Sequence, residues 1–154
     1  LTPTEGTVNV KMQSVGRFRS KRSCIGLVSP YLQMYDEFSA KENLRLALAI
    51  RGVAASDSPI DEMLERVFLH DRRNDPVRTF SSGMKQRMKY AFALIHQPPI
   101  LILDEPTANL DDEGIGMVRQ IMKQQLPNGI LLVATNDLSD IDTFDMQIDL
   151  NVKN

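Results

Sequence analysis

Short β-branched runs alternate with a longer amphipathic stretch in the second half of the chain, and few folds accommodate that order. Ile100–Leu103 is a four-residue apolar run with two β-branched members, ending directly on Asp104. Asp111–Leu126 follows with Ile115, Val118 and Met122 at helical spacing, and Pro127-Asn-Gly129 closes it. Ile130–Ala134 is a second wholly apolar run. Strand, helix and strand at these distances predict a mostly parallel sheet with helices on its faces, the α/β class. Ligands of such sheets sit beyond the strand C-termini, where Asp104, Glu105, Thr135 and Asn136 fall. A short helix is expected over Asp137–Asp142 and a last strand over Met146–Leu150.

The first half carries helix signals. Leu1–Val10 reads as a turn built on Pro3 and Gly6, then a strand. Cys24–Val28 is a candidate buried strand stopped by Ser29-Pro30. Ser39-Ala-Lys-Glu42 has capping-box spacing, which predicts a helix running to about Arg51 before Gly52. Ser58-Pro59 repeats the signal with proline at the first helical position. Ile60, Met63, Leu64, Val67 and Phe68 then form a one-face stripe for the core. Met84, Met88, Ala91, Phe92 and Ile95 form another, with methionine as gap-filling core.

Composition narrows the function. A length of 154 residues corresponds to about one domain. The hydrophobic fraction of 42% and charged fraction of 25% exclude a disordered or collagen-like chain. Aromatics at 6%, with no Trp, argue against stacking platforms for bare nucleic-acid bases. The net charge of −2 argues against a polyanion binder, so nucleic acid is not an expected partner. The lone Cys24 can form no internal disulfide, which favours a reducing compartment. The longest uncharged run, Tyr90–Leu103, has 14 residues and includes His96, Gln97, Pro98 and Pro99, so it does not span a bilayer. Charge is unevenly placed: Arg72, Arg73, Arg78, Lys85, Arg87 and Lys89 crowd one stretch. Such a block is a solvated face or a surface facing phosphate or a partner.

Two stretches carry chemistry. Asp104 and Glu105 directly follow an apolar strand, where acids are costly unless they bind a cation or accept hydrogen bonds. The first suits a Mg²⁺ site, since magnesium keeps most of its waters and takes one or two carboxylates. The second suits a base or orienter for an attacking water. Taken alone, the pair is equally the start of a loop. Upstream, Ser81, Ser82 and Gly83 open a helix, where free N–H groups and the positive dipole end favour an anion. Taken alone, that reads first as an ordinary serine cap.

Together the two stretches resemble the ATP-binding domains of ABC transporters, of the P-loop NTPase type. Phe80-Ser-Ser-Gly-Met84 resembles the signature sequence, usually Leu-Ser-Gly-Gly-Gln. Ile100–Asp104 with Glu105 resembles Walker B and its catalytic glutamate, and Ala108-Asn-Leu-Asp111 the D-loop. Leu27–Leu44 resembles the Q-loop and the start of an inserted helical subdomain, and Ala134-Thr-Asn136 sits where the switch-histidine loop belongs. The resemblance covers essentially the whole chain. It implies ATP and Mg²⁺ as cofactors, with Asp104 holding the metal, largely through water. It implies catalysis by Glu105 together with Asn136. Ser81, Ser82, Gly83 and Met84 would bind ATP held by a second copy of the domain, and Asp111 would couple the two sites across that dimer. The implied division is a residual N-terminal β part over 1–29, a mostly helical subdomain over 30–95 and the Walker B half over 96–154. The segment after Pro30 would touch a transmembrane permease, which places the protein on the cytoplasmic face of the plasma membrane.

Three departures stand out. Pro30 occupies the Q-loop glutamine position, and Asn136, which carries no charge, replaces the switch histidine. The chain contains no Gly-x-x-x-x-Gly-Lys-[Ser/Thr] phosphate loop, so it is expected to be a piece that starts after one and is inactive alone. Ser29–Phe38, Ser81–Arg87 and Ala134–Asn136 are similar to exporter-type ATPases, including cytochrome c biogenesis (haem exporter) ATP-binding subunits. The reading is therefore the ATP-hydrolysing subunit of an exporter. A catalytically degenerate nucleotide-responsive module and a soluble ABC-type ATPase without membrane partner are the alternatives.

Overall fold

The computed structural model describes residues 5–7, 21–127, 129–137 and 144–149. Three parallel strands, β1 (Ile25–Val28), β2 (Ile100–Asp104) and β3 (Ile130–Ala134), form a sheet in that order. Between β1 and β2 lie three helices, α1 (Ala40–Ile50), α2 (Asp57–Arg66) and α3 (Ser82–Leu94). A fourth, α4 (Asp112–Gln125), connects β2 to β3. The α/β class and the parallel sheet follow the sequence pattern, and the region 30–95 is mostly helical.

The helix ends obey their local chemistry. Ser39 caps α1 through a complete capping box: its side chain accepts from the Glu42 N–H, and Glu42 accepts from the Ser39 N–H at 2.8 Å. Gly52, at φ +71°, ends α1 by turning its N–H back to the Ala49 carbonyl, a left-handed turn that a side chain would strain. Asp57, not Ser58, starts α2, so Pro59 is its third residue rather than its first. The position still lies in the first turn, where a missing N–H breaks no intrahelical bond. Ile60, Leu64 and Val67 are fully buried as the stripe requires. Phe68 leaves the stripe: past the helix end it takes φ +58° and turns out, 51% exposed, with the Arg87 guanidinium over its ring.

The helical part and the sheet share one core. Leu44, Leu64, Met88, Tyr90, Leu101 and Leu103 are all buried within it. Helix α3 packs on β1 and α4 on β3. Register places Gly26, Leu101 and Leu131 in one row and Val28, Leu103 and Val133 in another, both facing this core. The other face differs, with Leu27, Ile130 and Leu132 about half exposed. Thus β3 is apolar as expected but only half covered. Just past α3, His96 is 7% exposed and neither ring nitrogen makes a hydrogen bond of good geometry. Burial, then the Arg51 charge, pushes its pKa down to about 4, against a smaller pull from the Ile25 backbone.

Met146–Asp149 forms no strand, contrary to expectation, and Met146 and Ile148 are exposed. Alternation over so few residues supplies little ladder energy without a neighbouring strand. Gly6 takes φ +81°, as a turn there requires. The expected strand toward Val10, most of Asp137–Asp142, and Leu150 lie outside the described residues.

Candidate functional site

Parallel pairing assembles the site at the C-terminal end of the sheet. Asp104 is the last residue of β2 and pairs with Ala134 of β3, while Leu103 pairs with Val28 of β1. The next residue of β1's chain, Ser29, therefore comes alongside Asp104. Its hydroxyl donates to Asp104 Oδ2 at 3.1 Å.

Glu105 leaves the sheet at φ +49°, a left-handed conformation that costs a residue of this type about 1–3 kcal/mol. Surrounding bonds hold it there. Its N–H donates to the Ala134 carbonyl at 2.8 Å. Its Oε1 accepts from the Asn136 side-chain amide at 2.9 Å and from the Asn136 N–H at 3.2 Å. Behind it the Pro106 carbonyl accepts the hydroxyl of fully buried Tyr90 at 2.7 Å, which anchors the turn to α3. The carboxylate thus keeps one oxygen clasped and the other directed by a fixed backbone.

The Ser81–Met84 turn starts α3, with the Ser81 hydroxyl accepting the Met84 N–H at 3.2 Å. Ser81 and Ser82 are exposed, and Gly83 and Met84 partly so. A Cβ added to Gly83 would lie 3.2 Å from the Asn109 carbonyl, so the glycine permits close approach of the D-loop. Asp111 caps α4 by accepting the Gly114 N–H at 2.9 Å, and the same Oδ1 accepts from Arg87 at 2.6 Å. Those two bonds, the arginine's first, hold its pKa below the ordinary carboxylate value. Arg87 also reaches Glu113 at 3.2 Å. Among the described residues no hydrogen bond or ion pair joins the Ser81–Met84 turn to Asp104 or Glu105.

Pro30 is exposed, and its carbonyl accepts from Lys89 of α3 at 2.9 Å, as the Ser29 carbonyl does at 3.2 Å. Burial lowers the Lys89 pKa from the ordinary lysine value. Sequence reasoning missed Ser29, Tyr90 and Lys89 as parts of this site. The parallel placement of β1 and β2 was the available signal for Ser29.

Asp104 fits a magnesium ion: one partly exposed carboxylate beyond a strand end, with hard oxygen donors only, suits a cation that retains waters and takes phosphate oxygens. Among the described residues no group of three or more His, Cys, Asp or Glu could form an all-protein cage. A cleft of about 580 Å³, lined by Met63, Arg66, Leu94, Pro99, Ile121 and Gln125 among others, contains none of these site residues.

The family model described as ABC transporter matches residues 1–108. The chain belongs to the ABC transporter family. It is 31% identical over 153 residues to the uncharacterized ABC transporter ATP-binding protein YybJ of Bacillus subtilis, covering 98% of this chain and 70% of that one. It is 40% identical over 100 residues to the cytochrome c biogenesis ATP-binding export protein CcmA of Methylococcus capsulatus, covering 65% of this chain and 48% of that one. A dimeric ATP-binding cassette solved in a post-hydrolysis state with ADP and Pi superposes with a TM-score of 0.68 at 27% identity. That match covers 75% of this chain and 53% of the solved one. The ABC fold and the exporter-type likeness expected from the motifs therefore stand. No helix among the described residues is long and apolar enough to cross a membrane.

Proposed function

We propose that this chain is the signature and Walker B portion of an ATP-hydrolysing ABC transporter subunit of the exporter type. The observation that carries the reading is Glu105. It sits one residue past Asp104 at the end of β2, in a left-handed backbone, with its carboxylate held by Asn136. Magnesium bound at Asp104 would supply charge neutralisation for the triphosphate. Glu105 orients and polarises the attacking water, and Asn136 keeps the carboxylate aimed. Ser81, Ser82, Gly83 and Met84 present their helix N-terminus to the γ-phosphate of ATP on a second ATP-binding domain. Asp111, already tied to Arg87, couples the two sites.

The proposed division is 1–29, 30–95 and 96–154, with the loop after Pro30 meeting transmembrane permease subunits. Tyr31 at 88% exposed and Tyr35 at 56%, the latter stacked on Phe38, support that surface. The protein would then be cytoplasmic and peripheral on the membrane.

The test is Glu105→Gln in the full-length protein. A positioned general base contributes roughly 10²–10⁴-fold, so phosphate release should fall by that factor while ATP binding persists. Near-wild-type turnover removes Glu105 from the mechanism. The trans arrangement is checked by sedimentation of that variant with ATP: it should dimerise, and adding Gly83→Asp, a negative charge against phosphate, should abolish the dimer.

A further inference from the structure

Beyond Asp104 and Glu105, the polar groups around the sheet end form a relay that finishes on one oxygen, Asp104 Oδ2. Pro30 offers neither an N–H nor a polar side chain there. Its neighbour Ser29 does: only 9% exposed, it donates to Asp104 Oδ2 at 3.1 Å and receives the Tyr31 N–H at 3.4 Å. The serine is itself fixed from 60 residues away, because the Lys89 ammonium donates to the carbonyls of Ser29 and Pro30. The chain of contacts runs from α3 through the Ser29–Pro30 loop to a single carboxylate oxygen at the end of β2.

A carboxylate bound at one oxygen by a buried donor cannot rotate freely about its last torsion, so its second oxygen keeps one direction. Magnesium demands near-ideal octahedral geometry and tolerates misplacement poorly. Partners that orient a metal-binding carboxylate without touching the metal are typically worth 10–100-fold in metal affinity.

We infer that Ser29 is a positioning residue for the metal–nucleotide site: its hydroxyl orients Asp104, and Lys89 sets the hydroxyl. This rests on the ATPase reading above. Ser29 contacts no substrate and moves no proton; it narrows the directions in which Asp104 can meet the hydrated cation. Lys89 acts one step further out, so its loss is felt through the position of the Ser29 backbone.

The experiment is Mn²⁺ binding followed by electron paramagnetic resonance, with ATP, in full-length protein carrying Glu105→Gln to stop turnover. Ser29→Ala should weaken Mn²⁺ binding about 10-fold or more, Lys89→Met should weaken it less, and Ser29→Thr should restore most of the affinity. Binding of a fluorescent ATP analogue in chelator should be the same in all. If the parent protein takes up no Mn²⁺ with ATP, the ATPase reading fails. If the parent binds and Ser29→Ala binds as tightly, or Ser29→Thr is as weak as Ser29→Ala, the ATPase reading stands and the positioning role is overturned. Should Ser29→Ala not fold, Ser29→Cys, nearly isosteric and a weak donor, carries the same comparison.

Discussion

The helices between β1 and β2 and the sheet that flanks them are stabilised in opposite ways. The helical part secures itself. Its first helix has a reciprocal cap, and its core residues Leu44, Ile60, Leu64 and Val67 are inaccessible to water. Asn43, also fully buried, donates to the carbonyls of Tyr35, Phe38 and Ser39 and accepts the Tyr35 N–H, which closes the 35–39 loop onto α1. Lys41 and Arg45 pair with Asp57, tying α1 to α2 at the surface, where such pairs add little. The sheet has one face in the same core and another on which Leu27, Ile130 and Leu132 stay about half exposed. It also carries the strained Glu105 at its end. The difference teaches a division of cover: the helices bury their apolar side chains, whereas the sheet leaves one face half open beside the end that carries Asp104 and Glu105.

That contrast can be broken by mutation. The largest effect should come from Leu64→Ala, a fully buried side chain, at about 2–5 kcal/mol by chemical denaturation. Leu132→Ala on the exposed face should cost under about 1 kcal/mol, because much of its area is already in water. Equal costs would refute the division. Next, Asn43→Ala leaves the Tyr35 N–H without its acceptor and the carbonyls of Tyr35, Phe38 and Ser39 with their backbone donors alone, and should cost about 1–3 kcal/mol. Amide exchange should rise in that loop and not in β2.

The last effect concerns acidity and develops only at low pH. His96 is held neutral, its folded pKa about 4 against an ordinary 6.5. Between these values the unfolded chain binds the extra proton, so stability falls as pH drops from about 6.5 toward 4. His96→Gln should flatten that slope in thermal melts across this window. An unchanged slope would show that His96 does not report on burial beside α3.

Local signals were the legible ones. Ser39 and Glu42 announced their own cap, and Asp111 announced the start of α4, because the partners lie within one turn. The strands β2 and β3 and their acids were equally readable from β-branched runs. Pro59 misled by two residues, since proline fits any position of a first helical turn. Phe68 continued the stripe on paper, but the chain turned left-handed at that residue. In the site, Asp104, Glu105 and Asn136 were readable as residues, but the clasp between the last two spans 31 positions and depends on how β3 lies beside β2. The left-handed backbone of Glu105 has no sequence signature, because glutamate does not favour it. Ser29 and Lys89 were hidden for the same reason: a helix had to return across β1 to bring them together.

Arg87 has a mechanical consequence. Its side chain, 11% exposed, grips the cap of α4 while Phe68 lies beneath it, and the Gly83 backbone sits close against Asn109. The start of α3 and the start of α4 are thereby riveted together, although β2 intervenes between them in the chain. Moving the start of α3 without moving the front of α4 would therefore break both Arg87 bonds and open the contact between Gly83 and Asn109.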